Sequence, residues 1–183
     1  MRTVLVAASL AASATTASAG GYIGLGIGTG AASSGETGLD ADGRSGHLVL
    51  GYRFNPKVGP GTIAVEGLVS RYDMVRSDLH QYTGTTLALA GRYNFPLGNN
   101  FELYGRLGIQ HTRVEPKVYT EPYSGTGFLI GPGVEYRIPL GSVVLAFFID
   151  YTIQYASTKD ETVGVDGLDL LTRMWTLGAT IGF

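Results

Sequence analysis

From Gly20 onward the sequence keeps returning to one pattern, a bulky apolar residue at every second position. Successive side chains of a strand point to opposite faces, so this period marks β-strands with one greasy face. The alternation recurs in eight segments, about 21–29, 45–55, 62–72, 83–95, 101–112, 126–138, 143–155 and 171–183. Most are near or slightly above the ~9–11 residues that a tilted strand needs to cross a bilayer. No segment carries a capped helical stripe. The connections alternate in length. "NPKVGPG", "PLGNN" and "PLGS" are short and built from turn residues. "GAASSGETGLDADGR", "DMVRSDLHQYTG", "RVEPKVYTEPYSG" and "ASTKDETVGVDGLDL" are longer and polar. The order predicts an all-β, eight-stranded antiparallel up-and-down barrel with every short turn at one end.

Alternation fits a membrane barrel, apolar outside, as well as a soluble barrel, apolar inside. Residue types decide between them. One face carries Leu48, Leu50, Tyr52 and Phe54, then Leu87, Leu89, Tyr93 and Phe95, and later Leu145, Phe147 and Ile149. The other is mostly small, with Gly24, Gly26, Gly28, Ala88, Ala90, Gly131, Gly133, Gly178 and Gly182. A soluble barrel would cover its solvent face with Lys and Glu. The only lysines, Lys57, Lys117 and Lys159, all fall in connections on this reading. The greasy face is therefore predicted to meet lipid, and the small face to line the lumen of a transmembrane barrel. Short turns belong on the periplasmic side of the outer membrane and long loops outside. Eight strands then put both chain ends in the periplasm.

The stretch "GFLIGPGVEYRIP" sets Glu135 and Arg137 two residues apart, both on the small face. The lumenal charges predicted this way are Arg53, Glu66, Arg92, Glu102, Arg106, Glu135, Arg137 and Asp150, four acids and four arginines. An unpaired ion in a low-dielectric interior costs several kcal/mol, and arginine cannot shed its proton. The expectation is an ion-paired, closed lumen with opposite charges on adjacent strands. Glu66–Arg92 and Glu102–Arg137 are candidate pairs, the latter near the wet rim. Two aromatic girdles are expected. Tyr52, Phe54, Tyr93, Phe95, Phe101, Tyr136 and Phe183 would form the turn-end girdle, and Tyr72, Tyr151, Tyr155 and Trp175 the loop-end one.

Residues 1–19 read as a signal peptide, with Arg2, an apolar run and Ala17-Ser18-Ala19 before the barrel domain at 20–183. With no cysteine, a thiolate metal site and a cysteine nucleophile are excluded. A formal charge of −2 and no basic run give no case for nucleic acid. The histidines are scattered: His47 in the lumen, His80 in the second long loop, His111 on the lipid-facing parity. "GLDADGRSG" lacks the closing glutamate of a calcium loop, so Asp40 and Asp42 read as solvated acids. "GLGIGTG" is strand, not a phosphate cradle. No metal, cofactor or catalytic residue is predicted.

The stretches "GYIGLGIG", "GYRFN", "ELYGRLGI", "GPGVEYRI" and "WTLGATIGF", in this order, resemble the small eight-stranded outer-membrane barrels. These include the OmpA-like transmembrane domain, opacity-type proteins and neisserial surface protein A. The resemblance implies a lumen closed by ion pairs, with Glu66, Glu135 and Arg137 on matching positions. It implies lipid and lipopolysaccharide as surroundings, and recognition of Phe183 by the outer-membrane assembly machinery. No peptidoglycan-binding domain follows the barrel, so a tethering role is not expected. Lipid A deacylase barrels carry a His-x-Ser on a lipid-facing strand; here the run is His111-Thr112-Arg113, so no enzyme is predicted. The expected role is structural and adhesin-like through four polar loops, with Tyr119 and Tyr123 as anchors for an extracellular or host ligand. The alternative is a small-solute channel or transporter of the outer membrane.

Overall fold

Backbone pairing carries the strands well past the apolar segments. The computed structural model describes residues 20–34, 39–76, 81–117, 122–160 and 166–183. Its eight strands are β1 (Gly20–Ser34), β2 (Leu39–Val58), β3 (Gly61–Arg76), β4 (Gln81–Gly98), β5 (Phe101–Pro116), β6 (Tyr123–Leu140), β7 (Val143–Asp160) and β8 (Asp166–Gly182). They close in chain order, each antiparallel to the next, and β1 pairs β8. The expected leader 1–19, His80 and Tyr119 lie outside the described residues. Tyr123 opens β6.

Much of what reads as long loops is strand. Gly30–Ser34 pairs with Leu39–Gly43, so Asp40 and Asp42 sit in β2 rather than in a loop. Lys57 and Lys159 likewise lie near strand ends. The apolar pattern marks only the stretch that meets lipid. Hydrogen bonding continues beyond it because neighbouring strands are already in register, and even where the β7–β8 register shifts, between Ser157 and Lys159, pairing resumes at Lys159–Asp166.

The turns are tight. Asn99 and Asn100, at φ 52° and 68°, link β4 to β5. Positive φ at both central residues is the type I′ pattern whose twist matches its flanking strands. Gly141 (φ 69°) and Gly59 (φ 61°) supply the left-handed residue in the other two. Asn100→Ala is expected to cost about 1 kcal/mol in urea unfolding, since left-handed backbone disfavours a Cβ, while Asn100→Gly should be near neutral.

The two faces are inverted relative to a soluble protein. Leu25, Ile27 and Ile109 are 67%, 75% and 69% exposed on the outside, while Glu66, Arg92 and Asp150 are buried within. The lumen is less uniformly small than its glycines suggest. Tyr22, Tyr72, Tyr104 and Phe148 all point inward and are buried. Each lies across a glycine directly opposite on the next strand: Tyr22 on Gly51, Tyr72 on Gly84, Tyr104 on Gly133, Phe148 on Gly178. A Cβ on any of these glycines would overlap the ring. Large residues on the odd strands thus fill the space left by glycines on the even ones, which suits the narrow lumen of eight strands.

Tyr72 corrects the expected girdle. It shares the parity of Glu66, Leu68 and Ser70, so it faces the lumen and is 2% exposed. The other expected girdle aromatics lie on the outward parity of their strands. Phe101 packs on Tyr136 at 4.7 Å and Tyr52 on Phe54 at 5.3 Å near the turn end. Tyr151 packs on Trp175 at 4.8 Å nearer the loop end.

Candidate functional site: a chain of ions across the lumen

The eight lumenal charges form one connected series in which acid and base alternate. Asp150 Oδ2 meets Arg106 Nη2 at 3.2 Å, and Arg106 Nε meets Glu66 Oε2 at 3.2 Å. Glu66 Oε1 accepts from Arg92 Nη1 at 3.1 Å, and Arg92 Nη2 donates to Glu135 Oε2 at 2.7 Å. Glu135 Oε1 accepts from Arg53 Nη2 at 3.3 Å, and Arg53 Nη1 donates to Glu102 Oε2 at 2.8 Å. Arg137 Nη1 closes the series on Glu102 Oε1 at 3.0 Å. Burial falls along it, from Asp150 and Glu66 with fully enclosed side chains to Arg137 at 31% exposed. The outer end thus lies at the wet rim, where a pair is worth little.

The links cross the barrel more often than they join neighbours. Directly opposed residues carry like charge at two places, Arg92 with Arg106 and Glu102 with Glu135. Only Glu66–Arg92 and Glu102–Arg137 join adjacent strands through these principal links. The expectation of an opposite charge beside each one therefore fails. Arginine side chains are long enough to reach across a narrow lumen, and each interleaves between two carboxylates. Like charges at adjacent positions are tolerated because a counter-ion stands between them.

Neutral side chains extend the network, and the charge pattern alone did not point to them. Tyr22 donates to Glu66 Oε1 at 2.6 Å, and Tyr104 to Asp150 Oδ2 at 2.9 Å. Arg92 Nε donates to Asn94 Oδ1 at 2.6 Å. The Arg92 guanidinium lies 3.7 Å from the Tyr104 ring centroid, a close cation–π contact in a desolvated site. All share the inward parity of the charges, which is the signal that could have found them.

Two further layers fill the lumen toward the loop end. His47 stacks on Phe148 at 5.6 Å, and Thr86 and Thr112 hydroxyls meet at 2.8 Å beside Gln154. Beyond them Ala32, Ala41, Tyr72, Met74, Leu170 and Met174 form a buried apolar cluster. At the turn end a vestibule of about 720 Å³ opens, bordered by Arg53, Glu102, Glu135 and Arg137.

His111 is exposed on the lipid-facing wall, Thr112 points inward and Arg113 outward. The run therefore sets no hydroxyl beside the imidazole on its own strand. Among the described residues no group of His, Asp and Glu is arranged to hold a metal ion.

An apolar exterior around a buried, neutral set of ions is the arrangement that lipid requires. Residues 3–183 match the outer membrane protein beta-barrel domain family. The chain belongs to that family. No curated protein sequence matches it significantly. Among solved structures it is similar to neisserial surface protein A, with a TM-score of 0.68 and 17% identity over 89% of this chain and 97% of that one. It is also similar to Ail, the attachment invasion locus protein of Yersinia pestis, solved in complex with the heparin analogue sucrose octasulfate. There the TM-score is 0.56, with 21% identity over 90% of this chain and 99% of that one. At such identities the likeness is one of fold. As a member of this family the barrel resides in the bacterial outer membrane, with its apolar face against lipid.

Proposed function

We propose that this barrel is a closed, structural surface protein whose loop end meets the exterior and whose termini lie in the periplasm. Adhesin-like contacts with an extracellular or host ligand would then be made by the loops. The observation that carries this reading is the ion series from Asp150 to Arg137, which crosses the lumen with equal numbers of both charges. A conducting filter works by an excess of one sign or a wet gap. Here each arginine contacts two carboxylates or stands at the rim, and the apolar cluster of Tyr72, Met74 and Met174 stacks above. The same fold in Ail accords with a surface role. No catalytic part is proposed for any residue, and Phe183 is proposed as the contact for the assembly machinery.

Single-channel recording in planar bilayers tests this. The refolded wild-type barrel is expected to stay silent, and the Glu66→Ala/Arg92→Ala double variant to show brief openings. Large, steady openings of the wild type would overturn the closed lumen and make the barrel a small-solute channel.

A further inference from the structure

The outward wall changes character in a fixed order toward the loop end. On every strand whose described outward residues include Asp, Glu, Lys or Arg there, the first of these met beyond the apolar belt is a cation: Arg44 on β2, Arg71 on β3, Arg113 on β5, Lys159 on β7, Arg173 on β8. Acids come only farther out, at Asp42, Asp73, Glu115 and Asp169. A wall merely solvated at this level would mix the signs. Cations at the edge of the hydrocarbon face the level of lipid phosphates.

The cations are best arranged on β3–β5. Arg71 and Arg113 both pair with Thr85 of β4, one from each side, and all three are exposed. Two strand spacings separate the arginine backbones by about 10 Å, close enough for both guanidinium groups to converge on one phosphate over the Thr85 hydroxyl. Arg113 contacts Glu115 at 3.2 Å, with both side chains half-exposed or more. Such a surface pair is weak and exchangeable.

Six residues down β4 from Thr85, the same wall holds a groove of about 640 Å³. Gly91, Gly105 and Pro132 lie among the residues that line it, with Ile63, Tyr93 and Leu107. Six residues span about 20 Å, which at a ~40° tilt is ~15 Å of depth, half of a ~30 Å hydrocarbon core. A chain hanging from the clamp would therefore end in the groove. Above the clamp the next row sets Asp73 and Glu115 either side of Thr83, whose hydroxyl donates to Asp73, and exposed Gln81 and Lys117 follow at the height of a bulky sugar headgroup.

We propose that the β3–β5 wall binds one phosphorylated glycolipid of the loop-side leaflet, its phosphate between Arg71 and Arg113 and an acyl chain in the Gly91–Gly105 groove. The site rests on the loops-outward orientation but is independent of the closed lumen.

Native mass spectrometry of the refolded barrel tests it, with bis-phosphorylated lipid A, dephosphorylated lipid A and phosphatidylglycerol as probes. Lipid A is expected to bind one-to-one at least tenfold more tightly than either other probe. Arg71→Ala/Arg113→Ala should remove that preference. Gly105→Leu should weaken binding several-fold while the barrel still folds, because a Cβ there meets nothing within 4 Å. Lys57→Ala, at the turn end, should change nothing. Heat-modified electrophoretic mobility checks the fold of each variant. Equal binding of phosphatidylglycerol, or wild-type binding by the folded double-arginine variant, would overturn the proposal. Silence or conductance in planar bilayers bears only on the lumen.

Discussion

Arg92→Ala is expected to lower the unfolding free energy by about 3–5 kcal/mol, the usual cost of removing one member of a buried ion pair. Arg92 is 2% exposed and holds Glu66 with one nitrogen and Glu135 with another. Without it Glu135 Oε2 loses its 2.7 Å donor, and Glu66 Oε1 keeps only the Tyr22 hydroxyl. Arg92→Lys should rescue little. An ammonium cannot span both carboxylates while lying flat on the Tyr104 ring. The double variant Glu66→Ala/Arg92→Ala should lose less than the sum of its singles, with a coupling of about 0.5–3 kcal/mol. Urea titration in lipid vesicles, followed by the single tryptophan Trp175, reads these values. A loss below about 1 kcal/mol for Arg92→Ala would mean that the series is solvated, as exposed pairs are.

Gly133→Ala is expected to destabilise by about 1–3 kcal/mol, the usual cost of forcing a methyl into a filled core. The new Cβ would fall on the Tyr104 ring, which lies across Gly133 from the neighbouring strand. Moving that ring also disturbs its hydroxyl bond to Asp150 and the face on which Arg92 rests. Tyr104→Ala alone should cost more, about 3–5 kcal/mol, through the cavity it leaves. Combining Tyr104→Ala with Gly133→Ala should cost clearly less than the sum, because the alanine methyl then fills part of the vacated space. Strict additivity in the same urea titration would count against a Tyr104–Gly133 contact. Gly105, also on β5, provides the contrast: it faces outward with nothing near its missing Cβ, so Gly105→Ala should be nearly silent.

The sequence alone determined the number of strands, the short-turn end and the face each residue takes. Those follow from a period of two, which is local and needs no knowledge of neighbours. The neutral set of eight inward charges was legible for the same reason. Parity also carried the inward direction of Tyr22, Tyr72, Asn94 and Tyr104, though Tyr72 reads as a girdle residue when judged only by its place near a strand end. What the tertiary structure alone decided is register. The stagger that sets Arg92 beside Arg106, Tyr104 on Gly133 and Arg71 level with Arg113 is fixed jointly by eight pairings and closure of the ring. Partner choice in the lumen therefore had to wait for the barrel. Strand length did too, since the ladder extends past the lipid wherever two neighbours can keep bonding, and a hydrophobic pattern stops where the lipid does.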